Sequence, residues 1–331
     1  MRQVGLAIAT ALLGWGLTGL VLMAALRRQH VARPTERGLH KTPTPVGGGL
    51  GLIGAALGFW LLAEWPPTVE MSAITAVVAA LACVSWLDDR QPLPPAVRFA
   101  AQALVVVTVL WLLPRDVRLV PSLPLGMERT ALAFAWLWML NLTNFMDGID
   151  GLAGVEAVTV GSGYALLAYL FPATGPMEAH LPELALLLSA ASAGYLVWNW
   201  APAKIFMGDV GSIPLGFLFG LLMFDLALRG FWGAALILPL YFIADATTTL
   251  LDRLRRGVKP WEAHREHAYQ RGVLSGMSHA DVVMQIAALN VALVALAVLS
   301  TSALWPALLA AVALTGGLLA WLRSRLPVKN S

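Results

Sequence analysis

Apolar runs alternate along this chain with short polar clusters. Runs of about 20 apolar residues, the length that spans a hydrocarbon core, read at roughly 4–26, 46–64, 71–87, 97–114, 129–145, 152–171, 183–200, 212–228, 231–250, 282–301 and 304–322. The pattern predicts an all-α, polytopic integral membrane protein with about eleven transmembrane helices. The connections that carry polar side chains lie at about 27–46, 88–97, 141–152, 199–212 and 251–281. Even the last is too short to bury a core of its own, so residues 1–331 read as a single transmembrane domain, and any chemistry must live on it.

Composition sharpens this reading. With 58% hydrophobic and 12% charged residues and a mean hydropathy of +0.73, the chain is far from the roughly 25% charged residues of a soluble domain. The first run is too long for a signal peptide and lacks a small-residue cleavage site, so it reads as a retained span. Cys83 has no partner cysteine, which excludes a disulfide framework or a thiolate metal site. Counted on alternate loops, 17 of the 22 Lys and Arg residues fall on one side, against Arg2, Arg115, Arg118, Arg129 and Arg229 on the other. The positive-inside rule then predicts a periplasmic N-terminus, a cytoplasmic C-terminus and membrane lipids as surroundings. No nucleic-acid partner is expected.

With that orientation the unusual polar clusters all face the cytoplasm: HKTPTPVGGGLG from His40, WLDDR from Trp86, NLTNFMDGIDGLAG from Asn141, NWAPAKIFMGDVGS from Asn199 and HREHAYQR from His264. Asn141, Asn144, Asp147 and Asp150 recur every three residues, and each such step drifts by about 60° around an ideal helix. A regular helix therefore cannot aim all four inward, and Gly148 and Gly151 predict a break; the bland alternative is a polar turn with a helix cap. Asp88 and Asp89 crowd two carboxylates at the interface, although such a pair also suits a solvated loop. Asp209 lies between Gly208 and Gly211, with Ser212 as a candidate cap and Pro214 in the first turn. Free amides beside a carboxylate suit a phosphate carried with a hard cation; an ordinary capped turn is the alternative. His264 and His267 lack the further ligands a zinc site needs, so anion binding with Arg265 and Arg271 competes with a lipid-surface role favoured by Arg253, Arg255, Arg256 and Lys259. Asp245, inside the ninth run, is expected to be functional or paired, with Arg253 as its candidate partner.

NFMDGIDGLAG, PAKIFMGDVGS, the aspartate pair after the third run and HREHAYQR together resemble the polyprenyl-phosphate N-acetylhexosamine-1-phosphate transferases, from about His40 to Arg271 and in the family's order. The chain looks closer to the O-antigen-initiating branch than to the phospho-N-acetylmuramoyl-pentapeptide transferases, whose histidine triplet is here His264-Arg265-Glu266-His267. The resemblance implies a Mg²⁺-dependent bacterial inner-membrane enzyme, with Mn²⁺ able to substitute. It would transfer N-acetylhexosamine 1-phosphate from a UDP-sugar to undecaprenyl phosphate on the cytoplasmic face, as the first step of a cell-surface polysaccharide. Carried over by motif, Asp209 would be the metal ligand, and Asp88 and Asp89 would position or deprotonate the lipid phosphate. Asn199 would help hold the pyrophosphate. Asp147 and Asp150, with Asn144 in the same motif, would line the nucleotide pocket near Lys41. His264, Arg265 and His267 would hold phosphate, and Phe206 would stack on uracil. The resemblance leaves a homodimer open. The rival readings are a transporter or flippase, which would place its polar groups near the midplane rather than at one face, and a CDP-linked lipid phosphotransferase.

Overall fold

The computed structural model describes residues 1–34, 39–40, 42–63, 65–172, 180–259, 262 and 264–325. The helices α1 (Arg2–Arg27), α2 (Gly49–Ala63), α3 (Val69–Arg90), α4 (Pro95–Leu112), α5 (Leu125–Phe145), α6 (Leu152–Leu170) and α7 (Leu181–Asn199) lead to α8 (Asp209–Leu228). They are followed by α9 (Trp232–Ile237), α10 (Leu240–Arg255), α11 (Ala268–Leu274), α12 (His279–Leu299) and α13 (Leu304–Ser324). A two-residue antiparallel ladder, β1 (Val31–Ala32) with β2 (Thr44–Pro45), sits between α1 and α2. Among the described residues, eight helices, α1, α3, α4, α6, α7, α8, α12 and α13, are long and apolar enough to cross a membrane. The protein is an all-α, multi-pass membrane protein.

Each predicted run is helical, with two qualifications. α2 has 15 residues, and α5 carries Glu128 in its first turn and Asn141 and Asn144 near its end, so neither has the length and apolarity of a plain span. The run at 231–250 is two helices, α9 and α10, parted at Leu238 and Pro239. Proline has no N–H for the ladder and its ring collides with the preceding turn. α10 then continues to Arg255, carrying charged residues beyond the apolar stretch.

Burial explains the arrangement. α8 is apolar all round, and such a helix belongs inside; 89% of its most apolar window is buried, against 17% for α4. α2, α3, α5, α6 and α9 pack around it, while α7 lies against α1, α2 and α6. Trp136 on α5 donates its indole N–H to the carbonyl of Phe217 on α8, 3.0 Å away in the buried interior. The starts of α2, α4, α6, α8 and α12 and the ends of α3, α5, α7 and α13 meet at one end of the bundle, where the polar motifs are brought together.

Candidate active site

The start of α8 organises the site. Gly208 adopts φ +76°, ψ 165°, a left-handed φ open to glycine, and turns the chain into the helix at Asp209. The first amides of a helix lack intrahelical partners. Here Asp89, at the end of α3, supplies them: its Oδ1 accepts from Asp209 N and its Oδ2 from Val210 N, each at 3.0 Å. The cap thus comes from another helix rather than from Ser212. Ser212 instead accepts from Nδ2 of Asn144 at 2.9 Å, and the same amide donates to Oδ1 of Asp209 at 2.7 Å. Asp88 accepts from Leu93 N at 2.7 Å and pairs with Arg98 at 2.9 Å. Arg98 also lies 3.4 Å from Oδ2 of Asp209. Asp88, Asp89, Asn144 and Asp209 therefore form one cluster, joined by Arg98.

The chain does break between α5 and α6, and Gly151 takes φ +81°. The four residues of the triplet series part company as their spacing requires. Asn141 donates to Gln102 at 2.9 Å, and Asn144 turns to Asp209. Burial, and then the like charges of Asp209, Asp89 and Asp150, push the carboxyl of Asp147 well above the ordinary range. Asp150 accepts from Ala203 N at 3.0 Å and lies 3.2 Å from Nδ1 of His279. Burial alone would raise it, but these partners hold it below the ordinary range.

Asn199 is buried, and both ends of its amide serve the backbone: Oδ1 accepts from Gly151 N and Nδ2 donates to the carbonyl of Ile205, each at 2.9 Å. It braces two loops of the site. Phe206 joins the start of α2 through its carbonyl, which accepts from Gly47 N and Gly48 N, and its ring lies edge-on to His40 at 5.1 Å. Lys41 lies outside the described residues.

The HREHAYQR segment is held from below. Asp245 is fully buried and accepts from Ala268 N at 2.8 Å and Tyr269 N at 3.3 Å, capping α11. Its ionic partner is Arg323 of α13, at 3.2 Å, and not Arg253. Arg253 is buried too, paired with Glu266 at 2.7 Å and donating to the carbonyl of Glu262, so it anchors the segment rather than facing lipid. Residues eight apart on α10 differ by more than two turns, which places Arg253 beyond reach of Asp245 and beside the loop. Burial opposes ionisation of Glu266, yet Arg256 and Arg253 hold its carboxyl below the ordinary range. The His264 and His267 rings lie 4.8 Å apart. Burial, with the positive charge around them, pushes His264 down to about 4, and burial lowers His267 as well. Both are neutral imidazoles near neutral pH. Arg265 is half-buried and has no ion-pair partner among the described residues.

A cavity of about 840 Å³ opens between these groups. Arg98, Gln102, Asn141 and Asn144 line one side and His264, His267 and Gln270 another, while Pro95, Phe99, Phe145 and Ile213 supply an apolar wall. Arg98, Gln102, His279 and Arg323 carry no motif in the sequence. The one available signal was Arg98 a turn into a helix that Pro95 begins.

For a divalent metal the fit lies in charge and not in a preformed ligand set. Among the described residues no three acidic or histidine side chains form a ready ligand set. The charge does fit: Asp209 has Asp88, Asp89 and Asp147 as acidic neighbours against the guanidinium of Arg98, and oxygen donors in excess negative charge suit a hard divalent cation.

A helical membrane bundle that gathers acids, imidazoles and a guanidinium around a half-apolar cavity at one end is built to act on a substrate at the membrane boundary. The chain belongs to glycosyl transferase family 4, whose profile matches residues 71–227, from α3 to α8. It is 28% identical over 278 residues to the "Probable undecaprenyl-phosphate N-acetylglucosaminyl 1-phosphate transferase" of Bacillus subtilis, covering 82% of this chain and 77% of that one. It is 29% identical over 321 residues to the decaprenyl-phosphate N-acetylglucosaminephosphotransferase of Mycobacterium tuberculosis, covering 86% and 80%. To the phospho-N-acetylmuramoyl-pentapeptide-transferase of a Picosynechococcus species it is 34% identical over 255 residues, covering 69% and 66%.

Proposed function

We propose that the protein transfers N-acetylhexosamine 1-phosphate from a UDP-sugar to undecaprenyl phosphate, releasing UMP and forming the first lipid-linked intermediate of a cell-surface polysaccharide such as O-antigen. The observation that carries this reading is the cavity, which has Arg98, paired with Asp88 and Asp209, on one side, the imidazoles of His264 and His267 on another and an apolar wall on a third. Such a site suits two phosphates of which one belongs to a lipid. The names of the relatives point to the same chemistry, and the bias of basic residues supports a cytoplasmic site in a bacterial inner membrane.

In the reaction a lipid phosphate oxygen attacks the β-phosphorus of the nucleotide sugar, and the bond from that phosphorus to the bridging oxygen breaks as UMP departs. The lipid phosphate has its second pKa near 6, so about neutral pH it is mostly dianionic and needs alignment more than deprotonation. Arg98 is placed to hold its oxygens, since the guanidinium bridges Asp88 and Asp209 at the cavity wall. Asp88 orients the acceptor or takes its last proton. His264 and His267, kept neutral, donate N–H bonds to phosphate oxygens without adding charge, and Arg265 supplies charge beside them. Mg²⁺, or Mn²⁺ in its place, held by Asp209 would neutralise charge on the pyrophosphate.

The test is UMP release by purified protein with undecaprenyl phosphate and Mg²⁺, across UDP-linked N-acetylglucosamine, N-acetylgalactosamine, N-acetylquinovosamine and N-acetylfucosamine. Release from at least one is expected. Release of CMP from a CDP-linked donor instead would assign the protein to the rival transferase class.

A further inference from the structure

The turn from Met146 to Gly151, between α5 and α6, carries Asp147 and Asp150, and α11 and α12 hold it at both ends. Ahead of it, Tyr269 of α11 donates its phenol O–H to the carbonyl of Phe145 at 2.8 Å, and the same side chain leaves no room for a Cβ on Gly148. Toward its end, His279 of α12 sets Nδ1 3.2 Å from Oδ1 and 3.3 Å from the amide N of Asp150. We propose that His279 is a positioning residue for the nucleotide-sugar donor: through Asp150 it fixes the turn that presents Asp147. The inference rests on the transfer reading and adds a residue to which that reading gives no part.

The contact does not depend on where the ring carries its proton. With hydrogen on Nδ1 the imidazole donates to Oδ1; without it, Nδ1 accepts from the amide of the same residue. Both side chains are largely enclosed, His279 being 16% exposed and Asp150 12%, so water competes little for the bond. Nor does α12 need His279 for its own start. Ser278 Oγ accepts from Asp281 N and Oδ2 of Asp281 accepts from Ser278 N, each at 3.1 Å, which closes a capping box. Val283, a turn further along α12, packs toward Gly151. The imidazole is thus spare to its helix and committed to the turn.

What the brace holds in place is Asp147. Its carboxyl faces the like charges of Asp209, Asp89 and Asp150 and accepts no hydrogen bond among the described residues. No partner of its own therefore fixes where it points, and the turn must do so. The other ties of the turn run to the loop before α8: Oδ2 of Asp150 accepts from Ala203 N at 3.0 Å, and Oδ1 of Asn199 from Gly151 N at 2.9 Å. That loop carries Phe206 and leads into Asp209, on the donor side of the proposed reaction. The acceptor is assigned instead to Asp88 and Arg98, on α3 and α4. Loosening the turn should accordingly be felt by the nucleotide sugar and not by the lipid phosphate.

The test is UMP release by the purified protein, with KM measured separately for the UDP-sugar and for undecaprenyl phosphate, beside amide hydrogen exchange over Met146 to Gly151 without substrate. His279→Ala should raise the donor KM about tenfold, the weight of one hydrogen bond to a charged group. Its kcat and acceptor KM should stay close to those of the wild type, and exchange in the turn should quicken. His279→Asn, whose amide ends near the position of Nδ1, should restore both readouts, whereas His279→Gln, which sets the amide one bond further out, should not. An unchanged donor KM in His279→Ala overturns the proposal. So does a loss confined to kcat, or one spread over kcat and both substrates, which would make the residue catalytic or merely structural. If His279→Ala does not fold, His279→Gln is compared with His279→Asn, and equal donor KM values overturn the proposal. Should the wild type release UMP from no donor, the transfer reading fails and the donor role with it. Exchange then decides alone whether His279 holds the turn: quickening in His279→Ala supports the brace, and an unchanged rate overturns that too.

Discussion

Asp209 is the residue on which most of the site converges: its amide is held by Asp89, one oxygen by Asn144 and the other faces Arg98. Asp209→Asn keeps the shape and loses the charge. Turnover should fall by at least about 10³-fold, a loss near 4 kcal/mol, with the protein still folded and dispersible in detergent; EDTA should reversibly do the same to the wild type, and Mn²⁺ should restore it. Activity retained in either experiment would remove Asp209 from its role. His264 offers a different test, because it is neutral at working pH. His264→Ala should lower kcat/KM for the nucleotide sugar by about 10²-fold, close to 3 kcal/mol. Its pH dependence has a definite sign. The folded value is about 4 against about 6.5 in an unfolded chain, so between the two the unfolded state binds the extra proton. Stability from this group is complete above about 6.5 and falls as pH drops toward 4. Thermal unfolding from pH 7 to pH 4 should therefore slope less in His264→Gln than in the wild type.

At the scale of elements, two helices begin under carboxylates borrowed from elsewhere: α8 under Asp89 of α3, and α11 under Asp245 of α10. Caps of this kind contribute roughly 1–2 kcal/mol. Asp89→Ala should lower the unfolding temperature and the activity together, because it frees the start of α8, whereas Asp88→Asn should lower kcat with little change in unfolding temperature. The opposite pattern would exchange their roles. These borrowed caps mark the limit of what the sequence tells. The motif around Asp209 announced a helix start, and Ser212 was the local candidate; that the cap comes from 120 residues earlier in the chain depends on how α3 packs against α8. Asp245 was likewise legible as a buried charge needing a partner, and the nearest basic residue on its own helix was the natural choice. The partner came from α13 because only the folded bundle brings Arg323 alongside. Asn199 could be read as a polar residue of the site, but not as one whose amide is taken up by two loops.

For the whole molecule, the apolar runs located the helices to within five residues at either end because a membrane span is set by length and hydropathy alone. The run at 231–250 misled because the proline that divides it sits in an otherwise continuous apolar stretch. Local sequence also cannot say which spans are interior: α3 and α8 are equally apolar by hydropathy, 1.8 each, yet only α8 is enclosed. That enclosure bears on how the protein responds to its lipid. Helices facing the bilayer tilt or shift when its thickness changes, and α1, α4 and α13 are such helices. α8 meets protein on nearly every side, so the height of Asp209 is referenced to the packed interior and not to the lipid tails. In vesicles of monounsaturated phosphatidylcholine with chains from 14 to about 22 carbons, the KM for the water-soluble donor should accordingly stay nearly constant, while the KM for the lipid acceptor changes. Parallel drift of both would mean that the reacting centre rides with the membrane after all.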